Sequence, residues 1–292
     1  MTELHAQTQE KKVMLVVLAH PDDETFGMGG TLAYYARHNV DVHLICATRG
    51  EVGDMSPEFL EGYSNIADRR TAELRCAAGL LGLKGVHFLD YRDSGMPGTP
   101  ENRHPQALIN APLERVAAEV AEIIRRIKPQ VVVTFDPIGG YRHPDHIHIH
   151  QATVMAFQNA GDARFTLDLP PYQPQKLYYQ TISRTALRWM VRLMPLVGRD
   201  PRKFGKNGDI DLKSIADADF PTHAVIDYRS VAEIRDQASA CHASQGGQQM
   251  VKGPLGKIRR LLGSKETFMR AIPPASSAVK EQDLFEGIQY SS

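Results

Sequence analysis

The sequence predicts an α/β fold: a doubly wound, Rossmann-like, mostly parallel sheet with helices on both faces, plus a less regular C-terminal portion. Apolar runs rich in β-branched residues alternate with helical patterns over roughly the first 160 residues. Runs that are apolar throughout are typical of parallel strands buried on both faces. Right-handed crossovers then give the provisional strand order 3-2-1-4-5, in which the first and fourth strands are neighbours.

The individual elements follow from periodicity and from helix-stop signals. The helix predicted over residues 65–83 places Leu74, Ala78 and Leu81 on one stripe. Pro129 ends the helix that precedes the fourth strand. The prediction for the N-terminal half comprises strands at 13–19, 40–48, 86–90 and 131–136, and helices at 29–38, 65–83, 112–127 and from about residue 145.

The chain divides into three parts. Residues 1–12 are expected to be a flexible N-terminus, 13–160 the Rossmann-like catalytic core, and 161–292 a C-terminal portion that completes the sheet and the pocket. Strands at 177–182 and 224–227 and a helix at 231–242 are predicted in that last part. The stretch 184–206 carries five arginines, two lysines and Trp189. It is interpreted either as a lid or oligomer contact, or as a solvated amphipathic excursion.

Composition and charge exclude several classes of protein. Lys+Arg and Asp+Glu number 34 each, so the formal net charge is zero and gives no electrostatic reason to expect nucleic acid as a partner. No segment reaches the roughly 18 apolar residues of a membrane span, and the polar N-terminus lacks a signal-peptide pattern. A cytoplasmic protein that acts on a small molecule, as a monomer or a homo-oligomer, is expected.

The three cysteines do not suggest a disulfide framework. Cys46 falls in an apolar run, and Cys76 and Cys241 fall in helix-like stretches. An odd, sparse set of cysteines in a chain of this size favours buried free thiols.

Two polar segments follow the first and fourth predicted strands. The first is Ala19-His20-Pro21-Asp22-Asp23-Glu24, and the second is Tyr141-Arg142-His143-Pro144-Asp145-His146. Ligands of doubly wound sheets bind beyond the carboxyl ends of the strands where the winding reverses, and these two strands end at that point. The pattern alone therefore brings both segments to one crevice.

The residue types in these segments favour a metal site. Consecutive acids beside a histidine repel one another unless a cation offsets them, although a turn with solvated acids and a capping Asp is the alternative. His20 and Asp23 lie three residues apart across a proline turn, and His146 lies in the first turn of a helix. Two histidines and one carboxylate with open positions suit a hydrolytic Zn²⁺ site, and the same set suits Fe²⁺ or another divalent metal.

Both segments resemble a known family. AHPDDE after the first strand and HPDH after the fourth are similar to the paired motifs of the LmbE-like, or PIG-L, family of metal-dependent N-acetylglucosamine deacetylases. The resemblance is specific over roughly residues 13–155 and comes nearest to the mycothiol-pathway deacetylase and amidase branch. It implies a zinc-dependent hydrolase that removes the N-acetyl group from an amino-sugar conjugate by cleaving a linear amide C–N bond.

The resemblance also implies roles for single residues. It makes His20, Asp23 and His146 the metal ligands and Asp22 the general base toward the attacking water. His143 would act as acid and oxyanion stabiliser, with Asp145 orienting it and Tyr141 over the developing oxyanion. Six further residues are implied as substrate contacts: Glu51, Arg70, Asp93, Ser94, Met96 and His242.

Some of these residues have simpler structural interpretations, and the sequence leaves two alternative functions. Arg70 could instead form a surface ion pair with Glu73 or Asp68, and Asp93 could be a turn residue. Gly27, Gly29 and Gly30 superficially suggest a nucleotide-binding Rossmann oxidoreductase, but the GxGxxG spacing is absent and the strand end is acidic. A catalytically silent sugar-binding protein of the same fold is the other alternative.

Overall fold

The computed structural model describes residues 11–181, 184–204, 208, 211–252, 264–276 and 278–290. Most of the expected N-terminal segment 1–12 lies outside the described residues. Within them, seven strands form one mixed sheet: β1 Lys12–Leu18, β2 Val40–Thr48, β3 Gly85–Tyr91, β4 Val131–Phe135, β5 Lys176–Thr181, β6 Ala224–Asp227 and β7 Lys265–Ile272.

Helices cover the sheet. Those described are α1 Asp23–Arg37, α2 Ile66–Leu81, α3 Leu113–Ile127, α4 Gly139–Arg142, α5 Pro144–Gly161, α6 Arg184–Leu193, α7 Leu212–Asp217, α8 Ala232–Cys241 and α9 Gly247–Lys252. Short 3-10 helices lie at Pro57–Leu60, Pro100–Arg103, Leu108–Asn110, Met194–Val197, Arg229–Val231 and Ala243–Gln245.

The strand order is β3-β2-β1-β4-β5-β7-β6. The first five strands are parallel and stand in the predicted order, so the doubly wound prediction is confirmed. β7 was not predicted from the sequence, and it pairs antiparallel with both β5 and β6. Its sequence, KETFMRAI, mixes charged and apolar residues and lies largely half-buried, so it lacks the apolar run that marked the other strands.

The core lies on both faces of the central strands. Residues Met14 to Leu18 of β1 are fully buried, as expected for a strand covered on both sides. Gly30 lets α1 approach the C-terminal part, because a Cβ there would lie 2.2 Å from the ring of Tyr228. The glycines of α1 therefore serve helix packing and not a phosphate loop, which argues against nucleotide binding.

One predicted boundary is wrong by several residues. α1 begins at Asp23, six residues before the predicted start at residue 29. Asp22 adopts φ 116°, so the chain turns directly from the end of β1 into the helix. Asp23 and Glu24 then occupy the first turn, where carboxylates favour the helix dipole. The bounds of the other predicted strands and helices agree to within about two residues.

The prediction for the cysteines is partly wrong. Cys76 of α2 and Cys241 at the end of α8 form a disulfide, with their Cα atoms 5.9 Å apart. The physical reason is tertiary: α2 and α8 pack against each other, which sequence spacing does not reveal. Cys76 is exposed and Cys241 half-buried, whereas Cys46 is a buried free thiol as expected.

The segment after β5 forms a small separate cluster. Leu187 and Met194 pack on α7, and Tyr141 contacts this cluster from the side of the sheet end. Trp189 and Leu196 are 59% and 80% exposed. The role of residues 184–206 as a lid or oligomer contact stays a prediction. Among the residues that the structure describes, no helix has the length and hydropathy needed to cross a membrane.

Arg125 fixes α3 to the end of α5. Its side chain is 2% exposed and donates to five backbone carbonyls. These belong to Asn159, Ala160, Asp162, Phe165 and Leu169. The first two lie in the last turn of α5, where carbonyls have no partner within the helix. The guanidinium therefore caps that helix and holds the following loop.

We expect Arg125→Lys to lower the free energy of unfolding by about 2–4 kcal/mol. The single ammonium group of lysine cannot donate to all the carbonyls that the planar guanidinium of arginine reaches, so several are left without a hydrogen bond. Urea denaturation would measure the change as a shift in midpoint. Arg126→Lys is the matched control, since Arg126 is exposed and forms an ion pair with Glu122 one turn away on α3. Its stability should change by less than about 0.5 kcal/mol, and equal losses in the two variants would contradict this role for Arg125.

Candidate active site

The turn after β1 places three acids beside His20. The backbone of Asp22 lies in the left-handed region, which is rare for a residue other than glycine. Its N–H donates to Glu24 Oε2 at 2.9 Å, and Glu24 Oε1 in turn lies 2.7 Å from His242 Nε2. Backbone strain of this kind persists only when the surroundings hold it, and it clusters at functional sites.

The second segment arrives at the same place from β4. His143 is the N-cap of α5, and its Nδ1 accepts from the N–H of Asp145 at 3.2 Å. Gly139 has φ 63°, and a Cβ there would lie 2.7 Å from the Cβ of His146. A glycine is therefore required for α5 to start this close to the loop that follows β4.

Three ligand atoms converge between the two segments. His20 Nδ1 lies 3.1 Å from His146 Nε2 and 3.5 Å from Asp23 Oδ2, and His146 Nε2 lies 3.3 Å from Asp23 Oδ1. Ligands about 2.0–2.2 Å from a tetrahedral zinc are separated by roughly 3.3–3.6 Å. The spacing of the three donors therefore fits a small divalent cation.

Each histidine of this trio has its other ring nitrogen fixed. His20 Nε2 lies 3.1 Å from Asp145 Oδ2, and His146 Nδ1 lies 3.2 Å from the carbonyl oxygen of Gly139. Metal-ligating histidines in proteins usually have such a carboxylate or carbonyl behind them. Asp145 therefore supports His20 through its carboxylate, and its backbone N–H donates to His143. That its carboxylate also orients His143 stays a prediction.

Two other groupings of ligand atoms lie within 4.8 Å of one another. One is His20, His143 and His146, and the other is His20, Asp93, His143 and Asp145. Asp93 and Asp145 approach His20 from its Nε2 side, opposite the nitrogen that faces His146. His143 Nδ1 is occupied by the helix cap. The trio of His20, Asp23 and His146 is thus the grouping whose free atoms face one another.

The charge of the cluster calls for a cation. Burial lowers the pKa of His20, but the carboxylates of Asp93, Asp145 and Asp23 outweigh burial and raise it well above its usual value. Burial raises the pKa of Asp23, yet the imidazoles of His146 and His20 outweigh it and lower that pKa well below the ordinary range. A proton on His20 is the positive charge that offsets these acids, and a dication can replace it.

Asp22 stands beside the trio with a different electrostatic balance. Burial raises the pKa of its carboxyl to about 6, against the opposing effect of Arg70 and with the help of the negative charge on Asp23. Arg70 Nη2 lies 3.1 Å from Asp22 Oδ2. Arg70 also donates to the carbonyls of Pro21 and Gly50, so it is a buried tie between two strand ends and not the surface ion pair with Glu73 or Asp68.

His143 and Tyr141 face the trio as neutral donors. Burial lowers the pKa of His143 well below its usual value, and the positive imidazoles of His20 and His146 lower it further. Because Nδ1 accepts a hydrogen bond, the proton of the neutral ring lies on Nε2. Burial and the charge of Asp23 raise the pKa of Tyr141, so its hydroxyl stays protonated.

A cavity of about 320 Å³ opens beside these residues, and we call it the polar cavity. Three of the predicted substrate contacts line it: Arg70, Asp93 and Met96. Its wall also includes Asp54, which sequence reasoning missed, and Gln245. Gln245 lies three positions after the predicted contact His242, in the stretch whose family resemblance suggested that contact.

The structure gives other partners to the remaining predicted contacts. Ser94 donates to Asp145 through both its N–H and its hydroxyl, and it is fully buried. Glu51 accepts from the N–H of Asp93 at 3.3 Å and lines two neighbouring cavities. His242 is fully buried against Glu24. Their roles as substrate contacts stay predictions, and the structure shows Ser94 and His242 supporting other site residues.

Residues after α8 reach the site through α2 as well. Ser244 donates to Glu73 through its N–H at 3.0 Å and its hydroxyl at 2.7 Å. The disulfide between Cys76 and Cys241 joins the same two helices. α2, which carries Arg70 and Glu73, is therefore fastened to the segment that carries His242 and Gln245.

Comparisons with known proteins agree with this geometry. The PIG-L family model, described as GlcNAc-PI de-N-acetylase, matches residues 15–157. A 1D-myo-inositol 2-acetamido-2-deoxy-alpha-D-glucopyranoside deacetylase of Rhodococcus jostii is 38% identical, with 94% of this chain and 98% of that protein covered.

Solved structures share the fold at lower identity. An N,N'-diacetylchitobiose deacetylase from Pyrococcus horikoshii superposes with a TM-score of 0.61 at 20% identity, covering 92% of this chain and 86% of that one. A 4-carboxy-2-hydroxymuconate hydratase from Pseudomonas putida superposes with a TM-score of 0.57 at 18% identity, covering 91% and 98%. The fold thus hosts more than one chemistry. The identity to the Rhodococcus protein over nearly the whole of both chains shows that this chain belongs to the PIG-L family.

Proposed function

We propose that this protein is a metal-dependent hydrolase that removes the N-acetyl group of an amino-sugar conjugate. The observation that carries the proposal is the convergence of His20, Asp23 and His146 beside the carboxyl of Asp22, at the edge of the polar cavity. Relatives that share most of the chain are named as deacetylases of a glucosaminide of inositol, which supports this reaction class.

His20, Asp23 and His146 would hold the metal, and their nitrogen and carboxylate donors suit Zn²⁺ first and Fe²⁺ or another divalent ion second. Asp145 and the Gly139 carbonyl orient the two imidazoles. A divalent metal bound there would supply Lewis acidity, which lowers the pKa of water and polarises an amide carbonyl.

Asp22 is the general base in this proposal. Its carboxyl has a pKa of about 6, so it is ionised at neutral pH and still close enough to neutrality to hold a proton during turnover. Arg70 fixes one carboxylate oxygen, and the N–H contact to Glu24 fixes the backbone. The carboxylate takes the proton of the attacking water and returns it to the leaving nitrogen.

His143 and Tyr141 act as hydrogen-bond donors toward the carbonyl oxygen as it becomes negative. The neutral state of His143 suits donation from Nε2–H but not release of a proton, since that would leave an imidazolate. We therefore assign the role of general acid, which the resemblance implied for His143, to Asp22. Asp145 acts indirectly in this proposal, by orienting the ring of His20.

The polar cavity is the place proposed for the sugar. Arg70, Asp93 and Gln245 present donors and acceptors along one side of it, as hydroxyl groups require. A 2-acetamido-2-deoxyglucopyranoside with a polyol aglycone is the substrate class that we favour. We further propose that the enzyme acts on this small molecule in the cytoplasm.

A catalytically silent sugar-binding protein is the alternative within the same fold, and turnover separates the two. Metal-loaded protein should release acetate from N-acetylglucosaminyl conjugates, and chelation should abolish that release. Asp22→Asn should lower the rate by about 10²–10⁴-fold, because the water loses its base, while the metal content by elemental analysis stays the same.

His146→Ala should lower the metal content itself. His148→Ala is the matched control, since His148 lies two residues further along α5 outside the trio, and it should retain full metal content. Full activity in Asp22→Asn would overturn the mechanism, and absence of acetate release from every conjugate would favour the sugar-binding alternative.

The raised pKa of Asp22 also predicts a pH-dependent effect on stability. A carboxyl with a folded pKa near 6 keeps its proton where the unfolded chain has lost it, so ionisation destabilises the metal-free fold as pH rises from about 4 to 6. Asp22→Asn removes this cost. The variant should gain on the order of 1–3 kcal/mol relative to wild type between pH 4 and pH 8.

Urea unfolding of both metal-free proteins at the two pH values measures this change. Metal-loaded protein is the matched condition, because a dication favours the ionised carboxyl and should remove or reverse the gain. A difference between variant and wild type that is the same at both pH values would contradict the assignment.

A further inference from the structure

A second cavity also reaches the proposed catalytic centre, and most of its lining residues differ from those of the polar cavity. It has a volume of about 360 Å³, and we call it the apolar chamber. Much of its wall comes from five residues: Phe26, Gly27, Phe135, Gln180 and Met250. It also reaches Asp23 and His146 of the proposed metal trio.

Aromatic rings held in fixed positions form part of this chamber. Phe135 stacks on His146, with ring centroids 3.9 Å apart and planes 9° from parallel. The ring of Phe26 stands edge-on to His242 at 5.6 Å. The chamber is therefore lined by His146 and by aromatic rings packed on site histidines, and its surface is mainly apolar.

Asp22 and Tyr141 line both cavities, so the two cavities lie next to each other at the base and at the proposed oxyanion donor. An amide carbonyl that receives water from the Asp22 side and is stabilised by Tyr141 must lie at this junction. Its two substituents then point in opposite directions. A sugar in the polar cavity directs the acyl group into the apolar chamber.

The chamber is much larger than an acetyl group requires. A methyl group is comparable in size to one water molecule, whose share of liquid volume is about 30 Å³. A volume of about 360 Å³ is in the range of pockets that hold small-molecule ligands. An acetyl methyl would leave most of an apolar surface without a partner.

We propose that the apolar chamber is an acyl-binding site that takes unbranched aliphatic acyl groups longer than acetyl. The inference rests on the proposed amide hydrolysis and adds its acyl specificity. The reaction is balanced by water alone: the amide C–N bond breaks, a C–O bond forms, and a fatty carboxylic acid and the free amine of the sugar are released.

An apolar aglycone is the competing occupant. The polar cavity, with Arg70, Asp54 and Asp93 on its wall, suits the sugar and a hydroxylated aglycone, and the chamber offers few donors to either. A lipid-like aglycone would need the sugar to lie the other way round. The experiment separates the two occupants by lengthening each end of the substrate in turn.

The first measurement is kcat/KM of the metal-loaded enzyme for N-acetyl, N-propionyl, N-butyryl and N-hexanoyl forms of one glucosamine conjugate. Each added methylene should hold kcat/KM constant or raise it up to about fourfold. A site shaped only for acetyl would instead lose about 10–200-fold per methylene, and that result would overturn the chamber while leaving acetate release intact.

Gly27→Val narrows the chamber without touching the proposed metal ligands. A Cβ at Gly27 would lie 2.6 Å from Gln180 Nε2, closer than packed atoms approach, so the valine takes up room in the chamber and displaces this flexible amide, which also lines it. The ratio of kcat/KM for hexanoyl over acetyl substrate should fall at least tenfold. Gly79→Val is the matched control, because that glycine is exposed on α2 with nothing within 4 Å, and its ratio should equal that of wild type.

Two further outcomes are decisive. If Gly27→Val changes discrimination among N-acetyl substrates with alkyl aglycones of different length, and not among acyl groups, the chamber binds the aglycone and the proposal is wrong. If no amide is hydrolysed at all, the proposed function fails separately. Calorimetry of acetate, butyrate and hexanoate binding then still tests the chamber, which predicts affinity that rises with chain length in wild type and not in Gly27→Val.

Discussion

The parallel pairing of β1 with β4 is the contact on which the rest of the site depends. Met14 pairs with Val131 and Val16 with Val133, which sets the two strand ends side by side. His20 and His146 are 126 residues apart in sequence, and the Nδ1 atom of His20 lies 3.1 Å from Nε2 of His146. A shift of the register by one residue would move the side chains of one strand to the opposite face of the sheet and separate the two segments.

Buried negative charge is concentrated where β1 and β4 end. Five acids lie near His20: Asp22, Asp23, Glu24, Asp93 and Asp145. Two basic side chains form hydrogen bonds with members of this group, Arg70 with Asp22 and His242 with Glu24. Leaving such acids without a compensating cation is costly in a low-dielectric interior. Each acid consequently has its own restraint, such as the paired contacts of Ser94 with Asp145 or the link from Glu24 to His242.

Much of the first half of the fold could be predicted from the sequence, because β1 and β4 are apolar runs typical of parallel strands covered on both faces. The two motifs could be placed at one crevice for the same reason. β7 could not be predicted, since its residues alternate weakly and its partners lie far away in sequence. The early start of α1 depends on the unusual backbone of Asp22, which the residue type alone does not signal.

The details of the site that could not be predicted depend on contacts between residues far apart in the sequence. The sequence does not reveal that Arg70, besides lining the polar cavity, joins the carbonyls of Pro21 and Gly50 in the interior. The carboxylate of Asp145 also contacts His20, which lies 125 residues away in sequence. Cys76 and Cys241 are 165 residues apart, and their pairing follows only from the packing of two helices.

The buried contact between Glu24 and His242 spans 218 residues, and it bears on how the molecule is synthesised. A ribosome that has translated about 150 residues has already produced the trio of ligands, the base and both oxyanion donors. The carboxylate of Glu24, which accepts from the backbone N–H of Asp22, can contact the imidazole of His242 only when most of the polypeptide has emerged. An N-terminal fragment could therefore contain the whole AHPDDE and HPDH chemistry and still lack the clamp that keeps the base in its left-handed turn.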